Sequence, residues 1–440
     1  MNLAEHRSLR LFTLCALYVA QGIPWGFMAF TLPSYLAAHG LDAAVIGTTL
    51  AMTTAPYSFK VIWGPIIDAF PSRRFGRRRP WIVFAQLMMA VTVGAMILIP
   101  DLTADVETLG WMIFIHTIFN SMQDVAVDGL AVDLLDEAER GRANGFMYAS
   151  KWGGGGLGGW GMSKLINHLG LRAALVAQVA VLLAIMLLPL LVRERAAEPE
   201  PRAFVVRAIA GWFRRVFGTR PIRTVLGGAV RDRAVQSAVL CAVVMLGSNL
   251  AAGTLSAISP VLFTHDLGWS AEDYTSLAAG PGLACGLAGS VLGGLLADKI
   301  GHRRLAAIAM VCLAGGYALW AGLQPYWIDR STVYAMFWIE PFFLGVMTVS
   351  LFALCMDVSW MAIAASQFAA YMALSNVSTT FGARYAGLVS ETWTYPGIYV
   401  VAAATQLALI VVLPFVDQRA AKSGSPNAAS KKLQTSARSA

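Results

Sequence analysis

The sequence predicts an all-α integral membrane protein with twelve transmembrane helices, arranged as two related halves of six. Three observations support this fold class: 57% of the 440 residues are hydrophobic, only 13% are charged, and the apolar residues fall into long segments. About a quarter of the residues of a soluble protein are charged. The composition therefore argues against a soluble globular protein and provides enough apolar sequence for about twelve bilayer crossings.

The apolar segments are separated by shorter polar or charged stretches. The first follows His6, Arg7 and Arg10 like the apolar region of a signal peptide, but it continues to about Leu36 and other segments follow. It is therefore predicted to be an uncleaved first helix. The predicted spans are 11–38, 43–69, 80–99, 109–133, 143–165, 170–192, 234–264, 271–298, 303–322, 332–357, 363–390 and 396–416.

This pattern divides the chain into four parts. The N-terminal half is 1–192, a cytoplasmic linker is 193–233, the C-terminal half is 234–418, and the tail is 419–440. The tail is rich in Ser, Ala and Lys without apolar periodicity, so it is predicted to be disordered.

The linker is rich in arginine, and five of its apolar residues recur at helical spacing. Two interpretations remain open: a short amphipathic helix along the inner membrane surface, or an ordinary basic linker. The five residues are Val205, Ile209, Trp212, Phe213 and Val216.

Basic residues indicate the orientation of the chain. If the N-terminus is cytoplasmic, 27 of the 33 Lys and Arg residues lie on the cytoplasmic side, in agreement with the positive-inside rule. The opposite loops contain acids such as Asp101, Asp105 and Glu272. Both termini are therefore expected in the cytoplasm, and the net charge of +8 reflects membrane topology rather than nucleic-acid binding.

The cysteines provide no metal or disulfide pattern. Five cysteines lie far apart inside apolar segments, without CxxC or Cys/His spacing. Core packing is their expected role, and no cofactor or metal site is predicted. They are Cys15, Cys241, Cys285, Cys312 and Cys355.

A short motif follows both the second and the eighth predicted span. In each copy a glycine precedes an aspartate by four residues, and glycine and basic residues follow. Gly64 and Gly294, which open the two copies, are 230 residues apart, and residues 69–74 interrupt the first copy. The glycine is expected to permit close helix approach, and the aspartate to pair with basic residues at the membrane edge. The motif residues are Gly64, Asp68, Gly76, Arg77, Arg78, Gly294, Asp298, Gly301 and Arg303.

This motif in a six-plus-six architecture resembles the signature of the major facilitator superfamily. The resemblance implies that the two halves rock about a central substrate site, with the motif as a conformational gate. It also implies that spans five and eight meet. Both contain glycine runs, 153–159 and 280–294, which close helix contact explains.

Residues 20–160 carry a narrower resemblance, to the AmpG-type muropeptide permeases and the related acetyl-CoA transporters. The similar sequences are Gln21-Gly22-Ile23-Pro24, Lys60 to Asp68, Phe75 to Trp81, Gln123 to Asp128, and Glu139-Arg140-Gly141. The resemblance implies a monomeric, proton-coupled importer of anhydro-muropeptides in the bacterial inner membrane. A carrier of acetyl-CoA or another anionic solute is the alternative. A membrane enzyme or a sensor is less favoured, since no Walker motif or paired metal-binding His is present.

Six ionisable residues lie inside predicted spans, where each costs a few kcal/mol unless it is paired or hydrated. Lys60, Asp124 and Lys151 are all expected about 12–14 Å from the inner ends of their helices. Two interpretations remain open: structural ion pairs, or at least one acid that carries a coupling proton, with Asp124 or Asp128 favoured. Glu340 and Arg384 are expected to meet in the second half.

Polar residues recur every four positions along span four, which places them on one helix face. This stripe is expected to line a cavity, and buried interhelical hydrogen bonds are the alternative. The stripe consists of His116, Asn120, Asp124 and Asp128. The full set of cavity or substrate candidates is Gln21, Trp25, Tyr57, His116, Asn120, Gln123, Trp152, Gln367 and Tyr371.

Overall fold

The computed structural model describes residues 2–70, 72, 75–135, 137–194, 233–359 and 364–417. Across these ranges the chain is almost entirely helical. The predicted linker helix and the predicted disordered tail lie outside the described residues.

The helices alternate with short turns. In chain order they are α1 (Arg7–Gly26), α2 (Leu32–Ala38), α3 (Ala43–Thr54), α4 (Trp63–Ala69), α5 (Arg79–Met96), α6 (Val106–Leu134), α7 (Glu137–Gly156), α8 (Met162–Leu169), α9 (Leu171–Leu191), α10 (Arg233–Ser248), α11 (Leu250–Val261), α12 (Ala271–Leu277), α13 (Leu283–Ile300), α14 (His302–Gly322), α15 (Arg330–Phe337), α16 (Ile339–Val358), α17 (Ala364–Thr392) and α18 (Tyr395–Val412).

Several consecutive α-helices are continuous with each other, because a short π-helical or 3₁₀-helical segment connects them. π-Helical turns at Phe27–Thr31, Leu157–Gly161 and Ala278–Gly282 join the helices on either side, and a 3₁₀ segment at Ala55–Ile62 joins α3 to α4. Only Asn249 separates α10 from α11, and only Trp338 separates α15 from α16, while a π-helical turn at Leu262–Asp266 ends span seven. Joined in this way, the described helices form the twelve predicted spans, each within a few residues of its predicted ends.

Eight of these spans, among the described residues, are long and apolar enough to cross a membrane. The other four are spans two, four, five and eleven, which are broken or more polar. They contain five of the six intramembrane charges. The spans that are hardest to recognise by hydropathy therefore carry most of the intramembrane charged residues.

Side-chain caps begin many of the helices at the predicted outer side. The Asp42 carboxylate accepts a hydrogen bond from the Val45 N–H at 2.8 Å, and the Ser270 hydroxyl accepts one from the Asp273 N–H at 3.0 Å. Asp329 caps α15, and hydrogen bonds from Ser331 and Thr332 lower its pKa to about 2. These caps satisfy amide groups that have no partner within their helix.

Packing divides the chain into two units. The first comprises the described residues of Met1–Ile209, Gly253–Leu283 and Thr380–Thr392. The second comprises those of Ala210–Ala252, Ala284–Thr379 and Trp393–Ala440. This division differs from the predicted halves, because the outer ends of spans seven, eight and eleven pack with the first six spans.

Close backbone contacts join these outer ends to the N-terminal spans. A Cβ atom added to Gly47 of span two would lie 2.0 Å from the Ala383 carbonyl oxygen of span eleven. One added to Gly159 of span five would lie 2.2 Å from the Ala279 Cβ of span eight. The implied meeting of spans five and eight is thus present. The Lys164 ammonium also lies 3.1 Å from the Glu272 carboxylate across that contact.

The internal repeat is visible in both units as a contact between a basic side chain and an aspartate. The Arg78 Nε lies 3.1 Å from the Asp133 carboxylate, and the His302 Nδ1 lies 2.6 Å from the Asp357 carboxylate. Both members of the second pair lie 224 residues after those of the first. The motif glycines upstream are 230 residues apart, and the difference equals the six-residue interruption at 69–74. The two halves therefore share their inner-end contacts.

The first motif copy folds around a carboxylate outside the motif. Glu194, 5% exposed, accepts backbone hydrogen bonds from Arg77 at 3.1 Å, from Arg78 at 2.8 Å and from Arg79. Gly76 has a φ of +97°, and a side chain there would collide with Glu194. The end of span six thereby anchors the amino end of α5.

One expectation about the motif finds no support among the described residues. Within that part of the chain, a Cβ atom at Gly64 would meet nothing within 4 Å, so the expected close helix approach at this glycine stays a prediction. Gly301, which has a φ of +94°, is instead needed for a backbone conformation that residues with side chains rarely adopt. The side chains of Asp68 and Asp298 lie outside the described residues, so their expected pairing stays a prediction.

The glycine runs permit helices to touch through their backbones, as predicted. A Cβ atom at Gly158 would lie 1.9 Å from the Ile23 carbonyl oxygen in span one, and one at Gly289 would lie 2.1 Å from the Phe342 carbonyl oxygen in span ten. Spans one and five, and spans eight and ten, therefore pack without side chains between them.

Substitution of one glycine in the span five run tests this packing. We expect Gly158→Ala to lower the free energy of unfolding by roughly 1–3 kcal/mol, because a backbone atom occupies the space that the methyl group would need. Thermal unfolding of the purified protein in detergent measures the change.

The matched control is Gly161→Ala, since a Cβ atom at Gly161 meets none of the described residues within 4 Å. The control is expected to unfold at or above the wild-type temperature. Equal effects of the two substitutions would contradict the close contact between spans one and five.

Candidate functional site

The centre of the first unit holds one carboxylate between two ammonium groups. The Asp124 Oδ1 lies 3.0 Å from the Lys151 Nζ, and the Asp124 Oδ2 lies 3.2 Å from the Lys60 Nζ. These residues belong to spans four, five and two. The structure therefore brings together the three charges that were expected at one depth.

Each member of this triad, Lys60–Asp124–Lys151, is placed by its own helix. Asp124 is fixed on the long α6. Lys60 lies in the 3₁₀ segment that interrupts span two, where Pro56 removes an N–H donor near the start. The Trp63 Nε1 donates a hydrogen bond to the Ser121 hydroxyl at 3.0 Å. This bond holds span two against span four one turn from the ion pairs.

Aromatic rings surround the triad. The Lys151 Nζ lies 5.8 Å from the Tyr18 ring centroid and 5.9 Å from the Tyr57 ring centroid, within cation–π range. The Tyr18 hydroxyl in turn donates a hydrogen bond to the Asp128 carboxylate. Asp128 lies one turn from Asp124 on the same face of α6. The two acids therefore have different partners: Asp124 has two cations, and Asp128 has a neutral phenol.

The outer part of the span four stripe forms buried interhelical contacts instead of an accessible surface. His116 is fully buried, and its Nδ1 lies 3.0 Å from the Thr92 hydroxyl of α5. Gln123 is also buried and donates to the Gln86 side chain at 2.9 Å. The interpretation as interhelical hydrogen bonding thus applies to these two residues, because α5 packs directly over this part of α6.

Two buried amides near this level have unpartnered atoms. Among the described residues, neither amide atom of Gln21 has a hydrogen-bond partner, and the Asn120 Oδ1 has none. Gln21 is fully buried, and Asn120 is 2% exposed. Because an unmade buried hydrogen bond is costly, these atoms mark places for water or a polar ligand group.

Two tryptophan candidates meet beside the triad. The Trp25 and Trp152 ring centroids are 5.6 Å apart with the rings nearly perpendicular. Trp25 lies over Gly155, where an added Cβ atom would come within 2.7 Å of the indole ring. Gly155 is one helical turn from Lys151. Both indoles are half-buried, so partly exposed aromatic surface adjoins the charged groups.

The candidates in the second half have other partners. In the second unit, the Tyr317 hydroxyl donates to Glu340 at 3.2 Å. In the first unit, Arg384 donates to the Thr48 hydroxyl at 2.5 Å. The expected pairing of Glu340 with Arg384 stays a prediction.

Two further candidates bind each other along span eleven. Gln367 donates to the Tyr371 hydroxyl at 2.8 Å, and that hydroxyl donates to the Ala238 carbonyl oxygen at 3.2 Å. Tyr371 is 3% exposed. These contacts tie span eleven to span seven, and their expected role in a substrate cavity stays a prediction.

Sequence reasoning missed Tyr18, Gln86 and Glu194. Tyr18 precedes the cavity candidate Gln21 by three residues, so the two lie on one face of span one. This spacing could have identified Tyr18 as a further candidate. Glu194 looked like part of a charged linker, and only the fold shows that it binds the amides of a distant loop.

Comparison with known proteins identifies the family. A family model described as Major Facilitator Superfamily matches residues 14–365 and 241–439. The chain belongs to the major facilitator superfamily. The solved structure of a D-xylose-proton symporter superimposes with a TM-score of 0.69 at 16% identity, covering 93% of this chain and 98% of that one. This agreement shows the shared fold, and with the family match it makes the protein a multi-pass membrane transporter.

Full-length relatives are more specific than the fold. The chain is 24% identical to the Anhydromuropeptide permease of Escherichia coli (strain K12) over 416 residues, which cover 91% of this chain and 78% of that protein. It is 22% identical to the Putative transporter AmpG 4 of Rickettsia conorii over 422 residues, with coverage of 94% and 98%. The resemblance to AmpG-type permeases noted in the first half therefore extends over most of the chain.

The different partners of the two acids predict different effects on stability. Asp124→Asn leaves two ammonium groups close together without a counter-charge, so we expect the free energy of unfolding to fall by about 3 kcal/mol. Asp128→Asn keeps an oxygen that accepts the hydrogen bond from Tyr18 and loses only the charge that strengthens this bond, so we expect a cost of about 1 kcal/mol. Denaturant unfolding in detergent at neutral pH compares the two variants.

Lys60→Met combined with Asp124→Asn is the control, since it removes one ammonium group with the carboxylate. We expect this variant to recover part of the stability that Asp124→Asn loses. A larger loss for Asp128→Asn than for Asp124→Asn would contradict the arrangement of ion pairs.

Proposed function

We propose that this transporter imports anhydro-muropeptides, GlcNAc-anhydroMurNAc peptides, across a bacterial inner membrane together with protons. The observation that carries the proposal is the similarity to the Anhydromuropeptide permease of Escherichia coli, which covers 91% of this chain and 78% of that protein. The charged centre in the first unit supports it, because ionisable groups inside a membrane transporter mark substrate or proton pathways. Both termini are proposed to be cytoplasmic, and the protein is proposed to act as a monomer.

Asp128 is the better proton carrier of the two favoured acids. Protonation of Asp124 would remove the shared counter-charge of Lys60 and Lys151. Protonation of Asp128 breaks no ion pair with those lysines, since its hydrogen-bond partner is the Tyr18 hydroxyl. A phenol can donate to a carboxylate or accept from a carboxylic acid. The Tyr18–Asp128 contact therefore suits both protonation states.

The packing supports transport by alternating access. Small residues at the outer ends of spans two, five, eight and eleven lie in close contact: Gly47 packs against the backbone of Ala383, and Gly159 packs against the Ala279 methyl group. Such contacts hold few interlocked side chains, so they suit a seam that opens and closes. On this proposal the outer ends separate when the transporter loads its solute.

Uptake by reconstituted protein tests the proposed function. In proteoliposomes with an imposed pH gradient, labelled GlcNAc-anhydroMurNAc tripeptide is expected to accumulate above its external concentration. Asp128→Asn is expected to abolish this accumulation while solute exchange continues, because exchange needs no net proton movement. Asp101→Asn, in an exposed outer loop, is the matched control.

Two results would overturn parts of the proposal. Normal uphill uptake by both Asp128→Asn and Asp124→Asn would exclude the two acids as coupling groups. Transport of acetyl-CoA in place of the muropeptide would replace the proposed cargo and leave the transporter family unchanged.

A further inference from the structure

The charges of the triad do not cancel. Lys60 and Lys151 carry two positive charges, and Asp124 carries one negative charge, so the ionised triad has a net charge of +1. The next acid on the same helix face, Asp128, accepts a hydrogen bond from the neutral Tyr18 hydroxyl. When Asp128 carries a proton, as the proposed function requires during transport, it does not balance the charge of the triad. An excess positive charge inside a membrane protein is costly unless an anion or water stabilises it.

The two lysines are the accessible members of the triad. Their side chains are 27% and 23% exposed, whereas the Asp124 side chain is 6% exposed. Because a charged group in a membrane faces water or protein rather than lipid, the exposed parts of Lys60 and Lys151 face a hydrated space. Asp124 lies behind them and holds the two ammonium groups close to each other.

The aromatic rings around Lys151 strengthen the attraction of its ammonium group for an anion. Tyr18 and Tyr57 place their rings within 6 Å of the Lys151 Nζ, and these rings displace water from one side of the ammonium group. Charge interactions strengthen where water is excluded. Trp25 and Trp152 form an aromatic surface about one helical turn away, which suits the apolar face of a sugar or another ring.

We propose that Lys60 and Lys151 together bind an anionic group of the transported solute, a carboxylate or a phosphate, while a ring of the same solute packs on Trp25 and Trp152. This inference rests on the proposed transport function and names the chemistry that the site recognises. Asp124 is on this account a positioning residue, which keeps the two lysines paired and leaves one positive charge for the solute.

A series of variants that changes the net charge of the triad tests the proposal. Asp124→Asn gives +2, wild type gives +1, and Lys60→Gln or Lys151→Gln gives 0. The double variant Lys151→Gln with Asp124→Asn returns the triad to +1. Affinity for an anionic solute is expected to change roughly tenfold for each unit of charge, so the double variant should bind more tightly than Lys151→Gln alone.

Binding of three different solutes is measured for each variant. One probe is the GlcNAc-anhydroMurNAc tripeptide with free carboxylates, a second is the same molecule with its carboxylates amidated, and a third is acetyl-CoA, which carries phosphates. Affinity for the amidated probe should stay constant across the variants. Lys299→Gln, which replaces an exposed lysine outside the triad, should bind every probe like wild type.

The wild-type protein alone provides a readout that does not depend on folding of the variants. Weaker binding of the amidated tripeptide than of the free tripeptide supports a carboxylate site. If acetyl-CoA binds and follows the charge series while neither tripeptide binds, the anion site stands and the proposed cargo is wrong.

The proposal is overturned in two cases. If the free and amidated tripeptides bind equally to wild type and to all variants, the lysines hold no anion, although muropeptide transport can still stand. If neither a tripeptide nor acetyl-CoA binds the wild-type protein, both the anion site and the proposed function fail.

Discussion

The contact on which the first unit depends is the Asp124 carboxylate held between the Lys60 and Lys151 ammonium groups. Ionised groups within a bilayer cost a few kcal/mol each, so these three residues are tolerated only because spans two, four and five bring them within ion-pair distance. Other local features accompany these ion pairs. Span two breaks into a 3₁₀ segment around Lys60, span five packs its glycines against span one below Trp25, and α6 turns its polar face towards protein.

A second contact lies at the predicted inner end of each half. There, equivalent positions of the internal repeat hold a basic side chain against an aspartate, but the basic residue differs between the halves. Arg78 pairs with Asp133, and His302 pairs with Asp357 at the equivalent positions. The first half adds Glu194, which binds the amides that begin α5. Each half thus has a contact between a basic side chain and an aspartate at its predicted inner end, whereas the predicted outer ends of spans two, five, eight and eleven meet mainly through small residues, with an ion pair between Lys164 and Glu272 beside them. This difference suits a transporter whose outer contacts must separate during its cycle.

Much of this arrangement was predictable, because apolar segments of bilayer length and their bounding charges determine where spans begin and end. The common depth of Lys60, Asp124 and Lys151 followed from counting helical turns. Contacts between distant segments were less accessible. Tyr18 and Asp128 are 110 residues apart, and nothing in either local sequence indicates that they meet. His116 shared a spacing with Asp124 but is covered by Thr92 of α5, since periodicity identifies a helix face and not the neighbour that packs on it.

The central claim is that the triad serves transport rather than folding. Its most direct test replaces all three members by apolar residues of similar size, Lys60→Met, Asp124→Leu and Lys151→Met, and measures unfolding and solute uptake on the same preparation. Since an apolar replacement of a buried ion pair is often neutral or stabilising, the account predicts a folded protein of at least wild-type stability that takes up no labelled GlcNAc-anhydroMurNAc tripeptide. Uptake at the wild-type rate by this variant would contradict the account.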